Sequence, residues 1–394
     1  MAKILFTSPN PFIPQMGGVE AVTDILCREL MRRGHKCYYY HSRSLRLYDS
    51  YDSPAEVYFS PSDEENSADN VKHYANILKH LEIDIIINQW ALFCDSKLYN
   101  SVYQELKHPM VVSVIHNNPI LNYDTLWHEI SRVKEPSLIG VLKCIARMIL
   151  YSRIRRLFWQ ERKKHFHWVI NHSHHVVLLS SAYIASLQRL GLHTDKISVI
   201  PNPCAYEPTA AHLKCKKKHI VYVGRLERNA KQPMRLVRIW KRLASKFPDW
   251  KLIFCGDGTY KRDLEHHCRD VRNVSFAGRV NPENYYKEAS ILCLVSDFEG
   301  FPMVLPEAMA YGVVPIAYNS FPAYSDIVEN EIEGVHITPF DETEYIEKLE
   351  KLICDEPYRS RLARFAIEKA KRFSLPLIAA EWEKLLKESE ACEV

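Results

Sequence analysis

The chain has 394 residues, of which 47% are hydrophobic and 25% charged, with a net charge of +4. That length suits two domains and that composition a globular protein, while so small a net charge gives no reason to expect nucleic acid as a partner. The 11 cysteines are odd in number and never spaced C-x-x-C, so neither a disulfide framework nor a zinc site is suggested.

Short apolar runs alternate with amphipathic stretches, the pattern of a parallel sheet with crossover helices. Ile4-Leu5-Phe6 predicts the first strand, an apolar run too short for a secretory leader. A helix follows over 19–33, with Val22, Leu26 and Leu30 on one face and Gly34 ending it. The runs 83–87 and 110–115 are nearly all apolar, as strands covered on both faces are. No stretch reaches the ~20 uncharged apolar residues that span a bilayer; 139–150 is interrupted by Lys143 and Arg147. Another strand is expected at 176–179, then a helix over 182–190.

The run Val199-Ile200-Pro201-Asn202-Pro203 is a rigid exit closed by prolines, and the Lys-rich segment 207–218 reads as an interdomain linker. A second βα series has strands at 219–224, 251–256, 274–278 and 291–295, with helices over 344–354 and from 356 onward. The expected organisation is two Rossmann-like, doubly wound α/β domains, 1–204 and 205–375, with a C-terminal helix in 376–394 packing back on the first. Such sheets bind ligands at the carboxyl ends of their strands.

Three segments stand at such ends. In Asp297-Phe298-Glu299-Gly300-Phe301-Pro302-Met303-Val304-Leu305-Pro306-Glu307 a strand ends, glycine turns the chain, and Pro302 marks a helix start. Helix-start N–H groups suit an anionic ligand. Glu299 in the turn and Glu307, placed about a turn and a half into the helix, can accept hydrogen bonds from hydroxyls. In Gly224-Arg225-Leu226-Glu227-Arg228-Asn229-Ala230-Lys231, Arg225 offers a planar fork for a diphosphate and Lys231 a mobile point charge. Gly17-Gly18-Val19-Glu20 lets backbone approach a ligand closely, without the third glycine of the dinucleotide fingerprint. His116 follows the strand at 110–115. Each also has a structural reading: solvated acids, a basic loop, a plain turn, and one among 18 histidines.

Together these segments resemble the retaining glycosyltransferases of the large family-four group, which have the two-domain GT-B fold. The resemblance rests on the E-x7-E pair Glu299 and Glu307, the G-R-L…K loop from Arg225 to Lys231, V-I-P-N-P at 199–203, G-G-V-E at 17–20 and His116. It implies a cleft between facing domains. Arg225 and Lys231 would hold the donor diphosphate, Glu307 the ribose, and Glu299 with the backbone of Gly300, Phe301, Pro302, Met303 and Val304 the transferred sugar. Gly17 and Gly18 would approach diphosphate and acceptor, His116 the sugar, and the backbone of Gly278, Arg279 and Val280 the nucleobase. The donor would be a nucleotide-diphosphate sugar, with uridine the expected base, and the acceptor a saccharide or a polyprenyl-linked saccharide. With no D-x-D in the chain, no metal or other cofactor is expected, and Lys231→Ala should lower turnover with the fold intact.

Between 143 and 164 the basic residues Lys143, Arg147, Arg153, Arg155, Arg156, Arg162, Lys163 and Lys164 interleave with apolar and aromatic ones, opposed only by Glu161. An amphipathic basic helix of this kind fits an anionic bilayer surface, or equally an ordinary packed helix with a wet face. The expected location is cytoplasmic, peripheral on the inner leaflet. The competing readings are a nucleotide-sugar epimerase or phosphorylase of the same fold, and a non-catalytic nucleotide-sugar binding protein.

Overall fold

The computed structural model describes residues 1–43, 51–64, 66–92, 97–101, 109–124, 126–130 and 137–388. The chain forms two units, Met1–Ile200 with Glu381–Val394, and Pro201–Ala380. The first division thus falls four residues before the expected boundary, and the C-terminal one at 380/381 rather than 375/376.

In the first unit, β1 (Lys3–Ser8), β2 (Lys36–His41), β3 (Glu56–Phe59), β4 (Ile85–Asn88), β5 (Met110–Ile115), β6 (His175–Leu178) and β7 (Ile197–Val199) form one sheet in the order β3-β2-β1-β4-β5-β6-β7. All of its pairings are parallel. Every residue of β4 and β5 is buried, which is why these strands read as nearly all-apolar runs, with Asn88 and Ser113 their polar members. The crossover helix Gly18–Arg32 follows β1 and ends before Gly34, whose φ of +96° suits glycine. One side of the sheet packs with a tyrosine cluster in which Tyr40, Tyr74 and Tyr99 meet ring to ring.

In the second unit, β8 (His219–Val223), β9 (Lys251–Cys255), β10 (Val274–Gly278), β11 (Ile291–Leu294), β12 (Val314–Tyr318) and β13 (Val335–Ile337) form a parallel sheet in the order β10-β9-β8-β11-β12-β13. Its core centres on buried Trp240, Leu252, Phe254, Ile316 and Tyr345. In each sheet the order runs outward from the first strand and then reverses: between β1 and β4, and between β8 and β11. That reversal is where an open α/β sheet takes a ligand.

Two expectations change. The segment 207–218 is no free linker: Leu213 packs on the second core, Thr209 N–H donates to the Ala310 carbonyl at 2.9 Å, and Lys217 N–H to that of Glu288 at 2.7 Å. The basic segment is two helices, Leu138–Ile149 and Tyr151–Asn171, parted at Leu150. The C-terminal helix expected in 376–394 is Leu375–Glu388, set off from helix Glu356–Ala370 by a 3-10 turn at Lys371–Phe373.

Candidate active site

At the reversal point of the second sheet, the loop after β8 lies against the segment after β11. Asp297 N–H donates to the Ala230 carbonyl at 2.8 Å. Asp297 also accepts from Gln232 Nε2 at 2.9 Å and pairs with Arg235, which ties the start of helix Pro233–Leu243 to the same segment. Held between these anchors, Lys231 Nζ lies 2.7 and 2.8 Å from the two oxygens of Glu299, and Ser296 Oγ donates to Glu299 at 2.6 Å. Both side chains of the ion pair are largely covered, at 19% and 10% exposure. Arg225 is its opposite: 72% exposed, with Glu227 beside it at 3.4 Å.

The loop after β8 is shaped by glycines in the loop after β9. Gly224 N–H donates to the Cys255 carbonyl and Leu226 N–H to that of Asp257. Gly256 and Gly258 have φ of +156° and +157°, and a Cβ there would stand 1.9 Å from Gly224 O and 2.3 Å from Leu226 O. Only glycine permits so close an approach of two loops. The Gly256 N–H in turn donates to the carbonyl of Gly278, whose φ is +73° and whose surroundings are open. Arg279 and Val280 beyond it are exposed.

Helix Val304–Ala310 begins two residues later than Pro302 suggests, so Glu307 sits in its first turn, not a turn and a half along. Pro306 is tolerated for the same reason, because first-turn N–H groups have no intrahelical acceptor. The Glu307 carboxyl is taken out of water beneath Tyr286, whose hydroxyl donates to it at 3.2 Å. This burial pushes it up to about 7, against the opposing effect of that hydrogen bond. Tyr206, Tyr286 and Tyr311 meet edge to face and stacked beside it, and Tyr206 Oη donates to Asn281 at 3.1 Å. Phe301 turns inward, its ring against Phe373, so only its backbone is available to a ligand.

In the first unit, His116 follows β5 and its Nε2 lies 2.6 Å from Oε1 of Gln89, which follows β4. With Nε2 donating to that amide oxygen, Nδ1 is an acceptor with no partner among the described residues. Burial pushes the ring down to about 4, so it is neutral near pH 7. Gly17 is extended and caps helix Gly18–Arg32, where a Cβ would meet only the Glu20 carboxylate. At Gly18 a Cβ would meet nothing within 4 Å. The fold itself demands glycine at neither position. Among the described residues no three His, Cys, Asp or Glu side chains converge as metal ligands.

Two family matches divide the chain as the sheets do. Residues 16–206 match the family described as Glycosyltransferase Family 4, and residues 209–369 that described as Glycosyl transferases group 1. The chain belongs to the family-four-like glycosyltransferases of the GT-B fold. Its similar relatives include an N-acetyl-D-galactosaminyltransferase of Campylobacter jejuni named for a PP-undecaprenol-linked saccharide. The two are 29% identical over 198 residues, 49% of this chain and 55% of the relative. A lipopolysaccharide 1,6-galactosyltransferase of Salmonella typhimurium is 26% identical over 209 residues, 50% of this chain and 57% of the relative. The chain thus spans about half the length of the curated relatives it matches. The solved structure of the outer core galactosyltransferase WaaB aligns with a TM-score of 0.70 at 19% identity, covering 98% of this chain and 99% of that one. Anabaena HepE, in complex with UDP and glucose, aligns with a TM-score of 0.72 at 17% identity over 98% and 100%. At these identities the likeness is one of fold.

In this chain the sequence motifs and the geometry meet unevenly. Lys231 and Glu299, distant in the chain, are in contact; Arg225 reaches into solvent nearby; Glu307 lies in a separate tyrosine-lined spot of the same unit. Gly256, Gly258, Ser296, Gln89 and Tyr206 were not singled out from sequence. The signal for the glycines was present as Cys255-Gly256-Asp257-Gly258, a strand end followed by two glycines. Nothing local marks Gln89 or Tyr206, because their positions depend on strand order.

Proposed function

We propose that this chain is a metal-independent, retaining hexosyltransferase that moves a sugar from a nucleotide-diphosphate donor, most simply a UDP-sugar, to a saccharide or polyprenyl-linked saccharide. The carrying observation is the covered Lys231–Glu299 pair at the carboxyl ends of β8 and β11, inside the segment matching the group 1 glycosyl transferases. Lys231 and Arg225 supply positive charge where negative charge develops on the departing diphosphate, the effect that contributes most in such sites. Glu299 accepts from sugar hydroxyls once the donor's phosphates draw Lys231 toward themselves, and Glu307 takes the ribose. Gly278, Arg279 and Val280 present backbone to the base. Gly17 and Gly18 bring backbone to diphosphate and acceptor at a helix start, with open space at Gly18, and His116 offers the Nδ1 lone pair to a sugar hydroxyl.

The step breaks the anomeric C1–O bond to the β-phosphate and forms a bond from C1 to the acceptor oxygen on the same face. The acceptor's proton passes to the leaving phosphate oxygen. The acceptor is proposed to be lipid-linked by analogy with the Campylobacter relative's printed name, with the enzyme working at the inner leaflet. No described helix is long and apolar enough to cross a membrane. The test is thermal unfolding with UDP, GDP, ADP and their sugar conjugates, in chelator, beside Glu307→Ala. At about 100 times Kd a ligand should add about 2.7 kcal/mol. Stabilisation by one nucleotide, lost in the variant, supports the reading; no response to any of them counts against it. Donor turnover without acceptor would favour an epimerase.

A further inference from the structure

Helix Leu138–Ile149 is turned the wrong way for a soluble surface. Its buried positions are Gly140 and Cys144, with Cys144 Sγ donating to the Ile130 carbonyl at 3.6 Å. Leu138, Leu142, Ile145 and Ile149, spaced i, i+4, i+7 and i+11, share the opposite face. They are 78, 56, 43 and 77% exposed, and Ile139 beside them is 64% exposed. Amphipathic surface helices bury their apolar stripe; here the apolar stripe faces out, and a contiguous exposed patch of this kind marks a binding surface. The helix that follows, Tyr151–Asn171, brings exposed Arg153, Arg156 and Lys163, and Glu161 is the only acid between 138 and 164.

We infer that Leu138–Ile149 lies in the surface of an anionic bilayer, its apolar stripe among the acyl chains and the basic start of Tyr151–Asn171 against the lipid phosphates. Twelve residues of helix span about 18 Å, too short to cross a bilayer and suited to lying in its interface. Charge decides the occupant. A second copy of the chain would bring two uncompensated basic surfaces together, whereas an anionic leaflet neutralises them. For its purpose the inference rests on the lipid-linked acceptor proposed above; its physics does not.

The test is sedimentation of the full chain with phosphatidylcholine vesicles, with and without phosphatidylglycerol. Binding should require the anionic lipid and weaken with salt. Each basic residue near the surface contributes about fivefold, so Arg153→Ala/Arg156→Ala should weaken binding about 25-fold. Leu142→Glu/Ile145→Glu should abolish it. Both variants should keep the wild-type unfolding temperature and its response to UDP, because neither touches the proposed donor site. Equal binding to neutral vesicles, or wild-type binding by the Leu142→Glu/Ile145→Glu variant, overturns the inference. So does failure to bind anionic vesicles together with a change in solution mass in that variant, which would assign the stripe to self-association. Vesicle binding without any UDP response would sink the transferase reading and leave this one standing.

Discussion

Lys231 Nζ bridges both carboxylate oxygens of Glu299, at 2.7 and 2.8 Å. The diphosphate-binding cation and the sugar-binding acid of the proposed site therefore neutralise each other without a ligand, and donor binding exchanges one partner for another.

That exchange revises the effect expected of Lys231→Ala. The substitution leaves Glu299 covered, with Ser296 as its remaining donor, so stability should fall by up to about 3 kcal/mol in addition to the loss of turnover. Lys231→Ala/Glu299→Gln should recover most of that stability and none of the activity. Urea unfolding of the single and double variants checks this; additive losses would show that the two residues do not act as a pair.

Glu307, pushed up to about 7 by burial, is largely protonated at pH 6.5 in the free protein. Ribose hydroxyls donating to it favour the ionised form, so nucleotide binding should release a proton and affinity should rise with pH until it levels off above about 7. Calorimetry at pH 6.5 in buffers of different ionisation enthalpy reads that proton. In Glu307→Gln its contribution should vanish, leaving only the proton exchanged by the nucleotide itself.

Gly256→Ala and Gly258→Ala should each cost about 3 kcal/mol or more, because the added Cβ meets a backbone carbonyl at a positive φ. Displacing the Gly224–Leu226 backbone should also remove the nucleotide response. Gly18→Ala should behave oppositely. With open space around its Cβ it should leave stability unchanged or raise it by about 0.5–1 kcal/mol, while transfer falls. Thermal unfolding and turnover of the three variants separate the two roles, and wild-type transfer by Gly18→Ala would remove a ligand from that loop.

Acid should loosen the first unit. His41 Nδ1 donates to the Ser8 carbonyl at 3.1 Å, and burial pushes the ring down to about 3, against the opposing effect of the Ser8 and Asn10 backbone. His116 is held at about 4. The unfolded chain takes up these protons near 6.5 and the folded one does not, so stability is full above about 6.5 and is lost as pH falls toward these lower values. Each ring contributes about 1.4 kcal/mol per pH unit. Denaturant unfolding at pH 7, 6 and 5 should show this slope, and His41→Gln or His116→Gln should each flatten it.

The strands legible in the sequence were those with nearly all-apolar runs, such as Met110–Ile115, where burial on both faces admits a single polar residue, Ser113, whose hydroxyl is bonded to Asn100 and Ser173. Strand β2 was missed: Lys36-Cys37-Tyr38-Tyr39-Tyr40-His41 carries hydroxyls and an imidazole, yet all but Lys36 are buried. Strand β12 was hidden by Pro315, which ordinarily argues against an interior strand. Its pairing with β13 begins only at Ile316, and Gly334, without a side chain, leaves room for the Pro315 ring and carbonyl. Of the site, the E-x7-E and G-R-L…K segments stood out because each follows a strand end. That Lys231 would meet Glu299 depended on β8 and β11 being neighbours, a property of strand order that neither segment contains.

The first unit draws on two stretches of chain, Met1–Ile200 and the residues from 381, where Glu383 accepts from Arg33 at 2.9 Å and lies 3.3 Å from His35. During synthesis, then, the N-terminal sheet can pair its strands early but must wait for the whole second unit to be translated before its last helical turns arrive. At about 5–20 residues per second that wait is on the order of ten to forty seconds. For that interval Arg33 has Glu29 of its own helix but not Glu383, and the unit whose sheet is translated earlier is completed only after the other.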